Sequence, residues 1–476
     1  MQIPIATSAA SAVVTGLAAK RCHNVYEEPH PNDPARPFIL AEAPGTLAVN
    51  TFATAIRGMA QADGHASGKV LIAQGTTLST YNIATDAVGS LTGTLPGSDT
   101  WDIAFTEDEA FILVNGGLQV SNGTAVAAVT DASFATLLSD HGQTVFTSVA
   151  TLGQRGIATY GSRFCFTDVL DLDSIDATNY YTAESSPDGL VAARTVGEQL
   201  YLFGTDTIEV WSQTGVDADP FSIQPGMTIQ VGCLCRDGIV KADNTLFFVD
   251  EASNVRRLGQ GAAEIISEPW IVRLLKDTDA ADINGFTYQD EGHTFIGFRT
   301  PTGCPVYDVM TRKWHTRGSN ETDTWRWKFV VEADGQHFVG DADGEFDEMS
   351  RDYTSEHMAD ASTMGTEIVR EFTAYLPTKA GRLPIKTVRV DTAKGVGLAT
   401  GQGVDPIIYL RQSMDGGNTW TNPNSKKLGA QGVYDQRTIW RRRGRARAQG
   451  AVFWFSKSDP VKCAYMAVVL NEDMVS

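Results

Sequence analysis

Short apolar segments alternate with Gly- and Asp-rich turns along most of this 476-residue chain. The stretch from Glu198 to Trp211 shows the unit clearly: a short apolar strand, a Gly/Asp turn, and a strand in which apolar and polar residues alternate. Similar units begin at Gly68, Glu109, Ser162, Asn244, Gly292 and Gly335. Consecutive starts lie 36 to 53 residues apart, and a four-stranded propeller blade needs roughly 40–50 residues.

An isolated hairpin is barely stable in water, so each unit has to bury its apolar face against the next one. The pattern therefore predicts an all-β chain that contains a β-propeller of about six or seven blades. Turns such as Asn115-Gly116-Gly117 and Asp334-Gly335 fit this prediction, because Asn, Asp and Gly adopt positive φ at low cost. Short helices are predicted at Ser133 to Ser139 and at Trp270 to Leu275, and the polar stretch from Asp352 to Glu367 is predicted to be weakly helical.

The same pattern predicts the domain boundaries. Residues 1–50 are rich in Pro and have little periodicity, which indicates an extended N-terminal arm. The propeller is predicted over 51–351 and a polar linker over 352–369. About six strand-like runs then follow between Gly, Pro and Asn turns, and they predict a β-sandwich-like domain over 370–476.

Charge separates these regions. The chain carries a net charge of −19, but residues 370–476 hold 17 Lys and Arg against 8 Asp and Glu. The preceding residues hold 21 against 49, so a basic C-terminal region follows a strongly acidic one. Such a division indicates two regions that face different partners, or each other.

Other compositional features narrow the class of protein. No apolar run reaches 18 residues, so no membrane-spanning segment is predicted. The first 19 residues lack the basic start of a secretory signal. The six Cys are scattered, apart from Cys233 and Cys235, and their spacing predicts reduced thiols in a cytoplasm and no zinc site.

A turn of the Asp-box type lies near the C-terminus. It follows the pattern Ser-x-Asp-x-Gly-x-Thr-Trp with Ser413, Asp415, Gly417, Thr419 and Trp420. The Asp carboxylate is expected to accept N–H groups of the turn, the Gly to take a positive φ, and the Trp to cover the fold. The pattern predicts a structural turn and is nearly silent on catalysis.

A basic run follows this turn, with six Arg in eleven residues. Guanidinium groups pair with phosphate, so one hypothesis is nucleic-acid binding. The other is docking on an acidic protein surface. We favour docking, because a protein that bound DNA by charge should not carry a strongly acidic main domain. The candidate partner-docking residues are Arg437, Trp440, Arg441, Arg442, Arg443, Arg445 and Arg447.

The remaining motifs predict neither a catalytic residue nor a bound cofactor or metal. The turn from Asp341 to Asp347 is acidic enough to suggest Ca²⁺, but it lacks the final Glu of an EF-hand loop, which favours a solvated turn. The chain contains neither His-Glu-x-x-His nor Gly-x-Ser-x-Gly. We therefore expect a protein that is not an enzyme.

The two ends of the chain resemble the packaged-DNA stabilisation proteins of short-tailed phages, also called tail hub or nozzle proteins. At the C-terminus the resemblance is carried by Leu410 to Trp420, Gly432 to Tyr434, Arg437 to Arg447 and Val452 to Pro460. At the N-terminus it is carried by Gln2 to Ile5, Arg21 to Glu28 and Pro44-Gly45. The Arg run is denser than is typical of that family.

The resemblance implies a structural virion protein that is assembled in the host cytoplasm and located in the virion tail. Six copies would form a ring below the head-to-tail adaptor, extend the DNA channel, retain packaged DNA and conduct it at ejection without binding it specifically. The ring would also meet a tail needle or plug and tailspike or fibre proteins. The alternative hypothesis is a carbohydrate-active propeller, either sialidase-like or lectin-like, which the Asp-box and the aromatic content suggest.

Overall fold

The structure is a computed structural model that describes residues 1–10, 20–30, 37–183, 188–217, 219–259, 261–360, 363–377, 383–447 and 449–471. Parts of the predicted arm, linker and sandwich lie outside these ranges. The chain divides into two compact units. The propeller unit comprises Val49–Gln289 and Trp327–Glu348, and the terminal unit comprises Met1–Ala48, Asp290–Arg326 and Met349–Ser476.

Strands dominate the described residues from end to end. The N-terminal strands are β1 (Gln2–Ile3), β2 (Cys22–His23), β3 (Val25–Pro29), β4 (Phe38–Glu42) and β5 (Gly45–Thr51). The first repeats contain β6 (Ile56–Ala60), β7 (Val70–Gln74), β8 (Thr77–Asn82), β9 (Ala87–Ser90), β10 (Thr92–Gly93), β11 (Asp102–Phe105), β12 (Ala110–Val114), β13 (Gly117–Ser121), β14 (Ala125–Ala128), β15 (Ser148–Leu152), β16 (Arg155–Tyr160), β17 (Arg163–Phe166) and β18 (Tyr180–Thr182).

The later repeats contain β19 (Leu190–Val196), β20 (Gln199–Gly204), β21 (Ile208–Gln213), β22 (Phe221–Ile223), β23 (Val240–Ala242), β24 (Thr245–Val249), β25 (Val255–Leu258), β26 (Ala263–Ile265), β27 (Asn284–Asp290), β28 (His293–Arg299), β29 (Pro305–Asp308), β30 (Lys313–Thr316), β31 (Phe329–Ala333), β32 (Gln336–Gly340) and β33 (Glu345–Ser350). The C-terminal strands are β34 (Arg370–Leu376), β35 (Leu383–Thr392), β36 (Ile407–Ser413), β37 (Asn424–Lys427), β38 (Thr438–Ala446), β39 (Ala451–Lys457) and β40 (Tyr465–Leu470).

Helices are short and few among the described residues. The two α-helices are α1 (Ser133–Asp140) and α2 (Pro269–Lys276), which lie where the sequence predicts them. Single 3₁₀ turns occur at Arg236–Gly238 and Ala280–Asp282, and Ala66–Gly68 is a turn in which all three residues have positive φ. None of these helices is both long and apolar enough to cross a membrane.

The propeller unit is built from consecutive sheets. Its first five blades are β6–β9, β10–β14, β15–β18, β19–β22 and β23–β26. Hairpins join neighbouring strands, and residues with positive φ form their turns: Asn115 and Gly116 have φ of 52° and 73°, and Asp334 and Gly335 have 50° and 72°. Both turns have the left-handed geometry that matches the twist of antiparallel strands, as the sequence predicts.

Each blade buries apolar side chains on both of its faces. In β12 all five residues are buried, since one face packs on the preceding blade and the other on the following blade. From the first blade to the fifth, neighbouring blades share hydrophobic clusters in this way. The middle strands therefore read as continuous apolar runs rather than as alternating ones.

The ring closes where the first blade meets β31–β33, the last blade. Tyr81 of the first blade packs on Phe338 and Phe346 of the last, with ring centroids 5.3 and 5.1 Å apart. The backbone N–H of Phe52 donates to the carbonyl of Gly344 at 2.8 Å. Gly344 has a φ of 88°, and a Cβ there would lie 2.5 Å from the Phe52 carbonyl oxygen, so glycine is required at this contact.

Seven inner strands surround one central cavity of about 490 Å³. They are β6, β11, β15, β19, β23, β27 and β31, one from each repeat. The propeller consequently has seven blades, within the predicted number. The all-β class with a propeller followed by a sandwich is also confirmed.

The terminal unit contains two packed sheets. One includes, in this order, the strands β28-β29-β30-β2-β34-β39-β36-β37 of this unit, and the other has the order β3-β4-β40-β35-β38 with β1 beside β40. Aromatic side chains fill the space between them: Phe372 stacks on Phe455 with centroids 5.0 Å apart and packs on Tyr465 at 4.6 Å. Trp440 packs on Phe455 from the second sheet at 5.8 Å.

The described part of the N-terminal segment is incorporated into these sheets. β2 pairs with both β30 and β34, and β4 pairs with both β3 and β40. The compact units therefore cut across the domains drawn from the sequence, because the segment before residue 49 and β28–β30 share sheets with the C-terminal strands. The boundaries at 51, 351 and 369 stay a prediction.

A buried ionic network holds the N-terminal segment in the terminal unit. The Glu42 carboxylate lies 2.7 Å from the Lys457 ammonium and 2.9 Å from Nε of Arg370. The side chains of both cations are almost fully buried, with exposed fractions of 0% and 1%. The Tyr465 hydroxyl donates to the same carboxylate at 2.9 Å, and burial together with the Glu42 charge raises the pKa of Tyr465.

Removing a ring-closing aromatic side chain should destabilise the propeller. We expect Phe346→Ala to lower the unfolding free energy by about 3–5 kcal/mol, because the side chain is fully buried and its loss leaves a cavity. Denaturant titration followed by tryptophan fluorescence measures this change. The control is Tyr180→Ala, which removes an exposed aromatic ring from the same unit. Equal losses in the two variants would contradict the closure argument.

Neutralising Glu42 should destabilise the protein through the loss of a counter-charge rather than through a cavity. We expect Glu42→Gln to lower the unfolding free energy by about 3–5 kcal/mol, since it leaves two buried cations without a counter-charge. Replacing all three groups, with Glu42→Leu, Arg370→Met and Lys457→Met, should cost less than the single change. Glu321→Gln, at an exposed position of the same unit, is the control. A triple variant less stable than Glu42→Gln would refute this account.

Candidate functional site

The Asp-box turn follows β36 directly and is organised around one carboxylate. Oδ1 of Asp415 accepts the backbone N–H of Thr419 at 2.9 Å and lies 2.7 Å from the Ser413 hydroxyl. Oδ2 accepts the Thr419 hydroxyl at 2.7 Å. The N–H of Gly417 donates to the Ser413 hydroxyl at 2.8 Å, and Gly417 has a φ of 106°. The hydrogen bonds of the carboxylate are therefore local to the turn.

These hydrogen bonds act on the ionisation of Asp415. The backbone N–H of Thr419, followed by the hydroxyls of Ser413 and Thr419, outweighs burial and lowers the pKa of Asp415 to about 2. Trp420, which ends the motif, packs edge-on against Trp454 with centroids 5.4 Å apart. It keeps 37% of its surface exposed, so it covers Trp454 in the middle of β39 and also faces solvent.

The basic run forms β38, which lies at the edge of its sheet. β38 pairs with β35, and the register between them shifts near Ile385, where β38 carries one extra residue. Arg442 and Gly444 adopt positive φ of 57° and 93° at this bulge. An edge strand with charges and a bulge resists the addition of another strand. The Arg run therefore has a structural role that the sequence does not indicate.

The candidate docking residues divide into an exposed and a buried set. Arg443 is half-buried, and its Nε donates to the side-chain oxygen of Gln412 at 2.7 Å. Trp440 is buried, and its indole N–H donates to the Asn424 carbonyl at 2.9 Å. Trp440 therefore belongs to the sandwich core and is not presented to a partner, because its alternating position on the strand points inward. The exposed residues are Arg437, Arg441, Arg442, Arg445 and Arg447.

The structure brings the Asp-box turn and the Arg strand together. The backbone N–H of Arg447 donates to the Met414 carbonyl at 2.9 Å. Nη1 of Arg447 lies 3.9 Å from Oδ2 of Asp415, and the side-chain amide of Gln412 donates to the Arg443 carbonyl at 3.0 Å. The two motifs thus form one surface, which we call the arginine edge: Arg437 to Arg447 and the turn Ser413 to Trp420. Sequence reasoning treated them as separate.

The acidic turn at Asp341 is stabilised in the same manner as the Asp-box. Oδ1 of Asp341 accepts the backbone N–H groups of Asp343 and Glu345, each at 2.9 Å. In the part of the chain that the structure describes, no three His, Cys, Asp or Glu side chains gather to form a metal site. All six cysteines are free thiols, and burial raises the pKa of each, for example to about 12 at Cys165.

The two parts of the chain match two models of one known protein family. Residues 1–353 match the family described as bacteriophage P22 Gp10, beta-propeller, and residues 369–471 match bacteriophage P22 Gp10, beta-sandwich. The chain belongs to the P22 Gp10 family. The tail hub protein gp10 of Salmonella phage P22 is 24% identical over 286 residues, which cover 56% of this chain and 57% of that protein. The resemblance to tail hub proteins is therefore confirmed.

Solved structures resemble this Gp10 family member only distantly. Virginiamycin B lyase from Staphylococcus aureus aligns with a TM-score of 0.44 at 12% identity, over 64% of this chain and 98% of that one. PorZ of Porphyromonas gingivalis aligns with a TM-score of 0.42 at 12% identity, over 79% and 46% respectively. Similarity at this level says nothing about function.

The Asp-box carboxylate should stabilise this Gp10 family member in a pH-dependent manner. We expect Asp415→Asn to lower the unfolding free energy by about 1–3 kcal/mol at pH 7, because three donors lose a charged acceptor. A depressed pKa adds stability that is complete above pH about 4 and is lost as the pH falls toward about 2. The gap between wild type and variant should therefore narrow on acidification. Thermal unfolding between pH 3 and pH 7 measures it, and a constant gap would contradict the prediction.

Proposed function

We propose that this protein is a structural subunit of a phage tail hub, with no enzymatic activity. The observation that carries the proposal is that both parts of the chain, the propeller and the sandwich, match one family that includes a tail hub protein. A tail hub has to be rigid and has to contact several proteins. A closed propeller supplies the rigidity, because each blade is packed between two others.

The proposed assembly is a ring of six subunits below the head-to-tail adaptor. In it the chain extends the DNA channel, retains packaged DNA and conducts it at ejection, and it contacts a tail needle or plug and tailspikes or fibres. The charge of the chain supports this arrangement. The propeller unit contains 12 Lys and Arg against 36 Asp and Glu, a net charge of −24, so it repels DNA from surfaces close to it.

The arginine edge is the proposed docking surface for an acidic protein partner. Its five exposed Arg side chains present positive charge, while the bulge at Arg442 and Gly444 disfavours pairing through the backbone. A partner would therefore bind through carboxylates that pair with guanidinium groups. The acidic propeller unit of a neighbouring copy and an acidic virion protein both have this chemistry.

Loss of the protein should affect the particle in a defined way. A phage that lacks this gene should package DNA but fail to keep it, and electron microscopy should show heads without a complete tail. Expression of the wild-type chain from a plasmid should restore both. Particles that keep their DNA and tail in the absence of the protein would contradict the proposed function.

Reversing charge on the arginine edge should prevent incorporation into particles. We expect Arg442→Glu with Arg445→Glu to reduce the amount of this protein in purified particles at least about tenfold, a change worth about 1.4 kcal/mol of binding. The control is Arg312→Glu with Lys394→Glu, which makes the same charge change at exposed positions outside the edge. Equal incorporation of the two double variants would refute the docking role.

A further inference from the structure

The central cavity of the propeller unit is locally basic, although the unit around it is acidic. Four of the 12 Lys and Arg of the unit line the cavity, but only two of its 36 Asp and Glu do. The cations are Arg194, Arg236, Lys241 and Lys328, and the carboxylates are Asp102 and Asp237. If the lining had the same ratio of charged residues as the whole unit, its net charge would be negative. The lining instead has two more cationic than acidic side chains.

The two carboxylates are each engaged by one arginine. Asp102 accepts from the Ser148 hydroxyl at 2.6 Å and from Nη1 of Arg194 at 3.1 Å. Asp237 accepts from Nε of Arg236 at 2.8 Å and from the Thr100 hydroxyl at 2.7 Å. These pairs position both guanidinium groups. Lys328 lies over the Phe329 ring, with its ammonium 5.5 Å from the ring centroid.

Arg236 and Asp237 stabilise each other's ionised forms. Burial by itself would lower the pKa of Arg236, but the charges of Asp102 and Asp237 outweigh it and raise that pKa. Burial would raise the pKa of Asp237, but the charge of Arg236 and the hydrogen bonds from Arg236 and Thr100 lower it. Arg236 and Asp237 therefore both stay charged over the physiological pH range.

Arg194 has an unused hydrogen-bonding edge. All three of its hydrogen bonds come from Nη1, which donates to Asp102, to the Ser148 hydroxyl and to the Ala193 carbonyl. Within the described residues Nε and Nη2 have no partner, and these two groups form the side of the guanidinium that binds an oxyanion with two parallel hydrogen bonds. The exposed ammonium of Lys241 likewise has no hydrogen-bond or ion-pair partner there.

We propose that this cavity binds a small phosphate-bearing molecule through Nε and Nη2 of Arg194 and the ammonium of Lys241. The negative charge of a phosphate complements the ammonium of Lys241, and its oxygens match the guanidinium edge of Arg194. The volume of about 490 Å³ lies within the range of small-molecule sites, about 300–1,000 Å³. The ligand could be free phosphate or a phosphomonoester such as a nucleotide, which share this chemistry.

The acidity of the surrounding unit limits the size of the ligand rather than preventing its binding. Charges on the outer surface are screened over about 8 Å at physiological ionic strength, so they act weakly on an anion inside the cavity. A long polyanion would also contact the acidic exterior and be repelled by it. The site therefore favours a small ligand over DNA.

Calorimetric titration of the full-length purified chain tests the proposal, with inorganic phosphate in one arm and adenosine monophosphate in the other. We expect saturable binding of at least one of them, and tighter binding of adenosine monophosphate if the cavity also holds the nucleoside. Lys241→Gln should weaken binding at least about tenfold. Lys276→Gln, which removes an exposed lysine of the same unit outside the cavity, should leave the affinity unchanged.

A second variant tests the role of the guanidinium edge. Arg194→Lys keeps the positive charge but loses the paired N–H groups, so it should also weaken binding at least about tenfold. Circular dichroism and thermal unfolding check that it folds, and Lys241→Gln carries the test if it does not. Absence of saturable binding up to about 10 mM of either ligand, or equal affinities of the Lys241→Gln and Lys276→Gln variants, would overturn the proposal. The measurement needs only the isolated chain, so its outcome is independent of the tail hub.

Discussion

The propeller depends on the hydrophobic contact between its first and last blades. Each blade has two apolar faces, as the fully buried strand β12 illustrates, and an end blade of an open array would expose one of them. Phe52 and Ile56, which precede and begin the first blade, share a buried cluster with Phe338 and Phe346 of the last. Closure therefore gives every blade two neighbours, and it also fixes the inner strands around the cavity that carries Arg194 and Lys241.

The terminal unit depends on charge where its backbone pairing is sparse. Within the described strands, the ladder between β4 and β40 includes only the pair Leu40–Tyr465. Glu42, two residues further along β4, compensates Arg370 of β34 and Lys457 of β39. A buried ion pair is weak evidence for net stability, but its loss on one side is costly. The network therefore adds little net stability, but it disfavours any arrangement of these strands that leaves one of its charges unpaired.

Features that depend on local sequence could be predicted. The repeat of apolar runs and turns predicted a propeller, and Asn115-Gly116 predicted a hairpin turn, because both depend on neighbouring residues. Helix α2 begins at Pro269, a residue that suits the first turn of a helix. The family resemblance came from motifs at the two ends of the chain, where spacing within a motif was sufficient.

Features that depend on distant residues could not be predicted. Single charges such as Glu42 and Arg194 lie in ordinary strands, and the sequence carries no signal that marks their partners. Trp440 shows the same limit. The arginines around it suggested a docking residue, whereas its contact with Phe455 of another strand places it in the core. The arginine edge depends on such a contact too, since Asp415 and Arg447 follow different strands and their side chains lie 3.9 Å apart.

Protection of the sheet edge and the proposed recognition of a partner make different demands on the charges of β38. Protection of a sheet edge requires charge and irregular backbone, and Glu or Lys would serve as well as Arg. A run of one sign, built from the residue that pairs best with carboxylates, exceeds that requirement. The bulge at Arg442 and Gly444 already interrupts the backbone ladder, so protection of the edge does not by itself explain a run of arginines. In the docking role proposed above, a partner would bind these guanidinium groups through its carboxylates, and β38 would both protect its sheet and bind a neighbour.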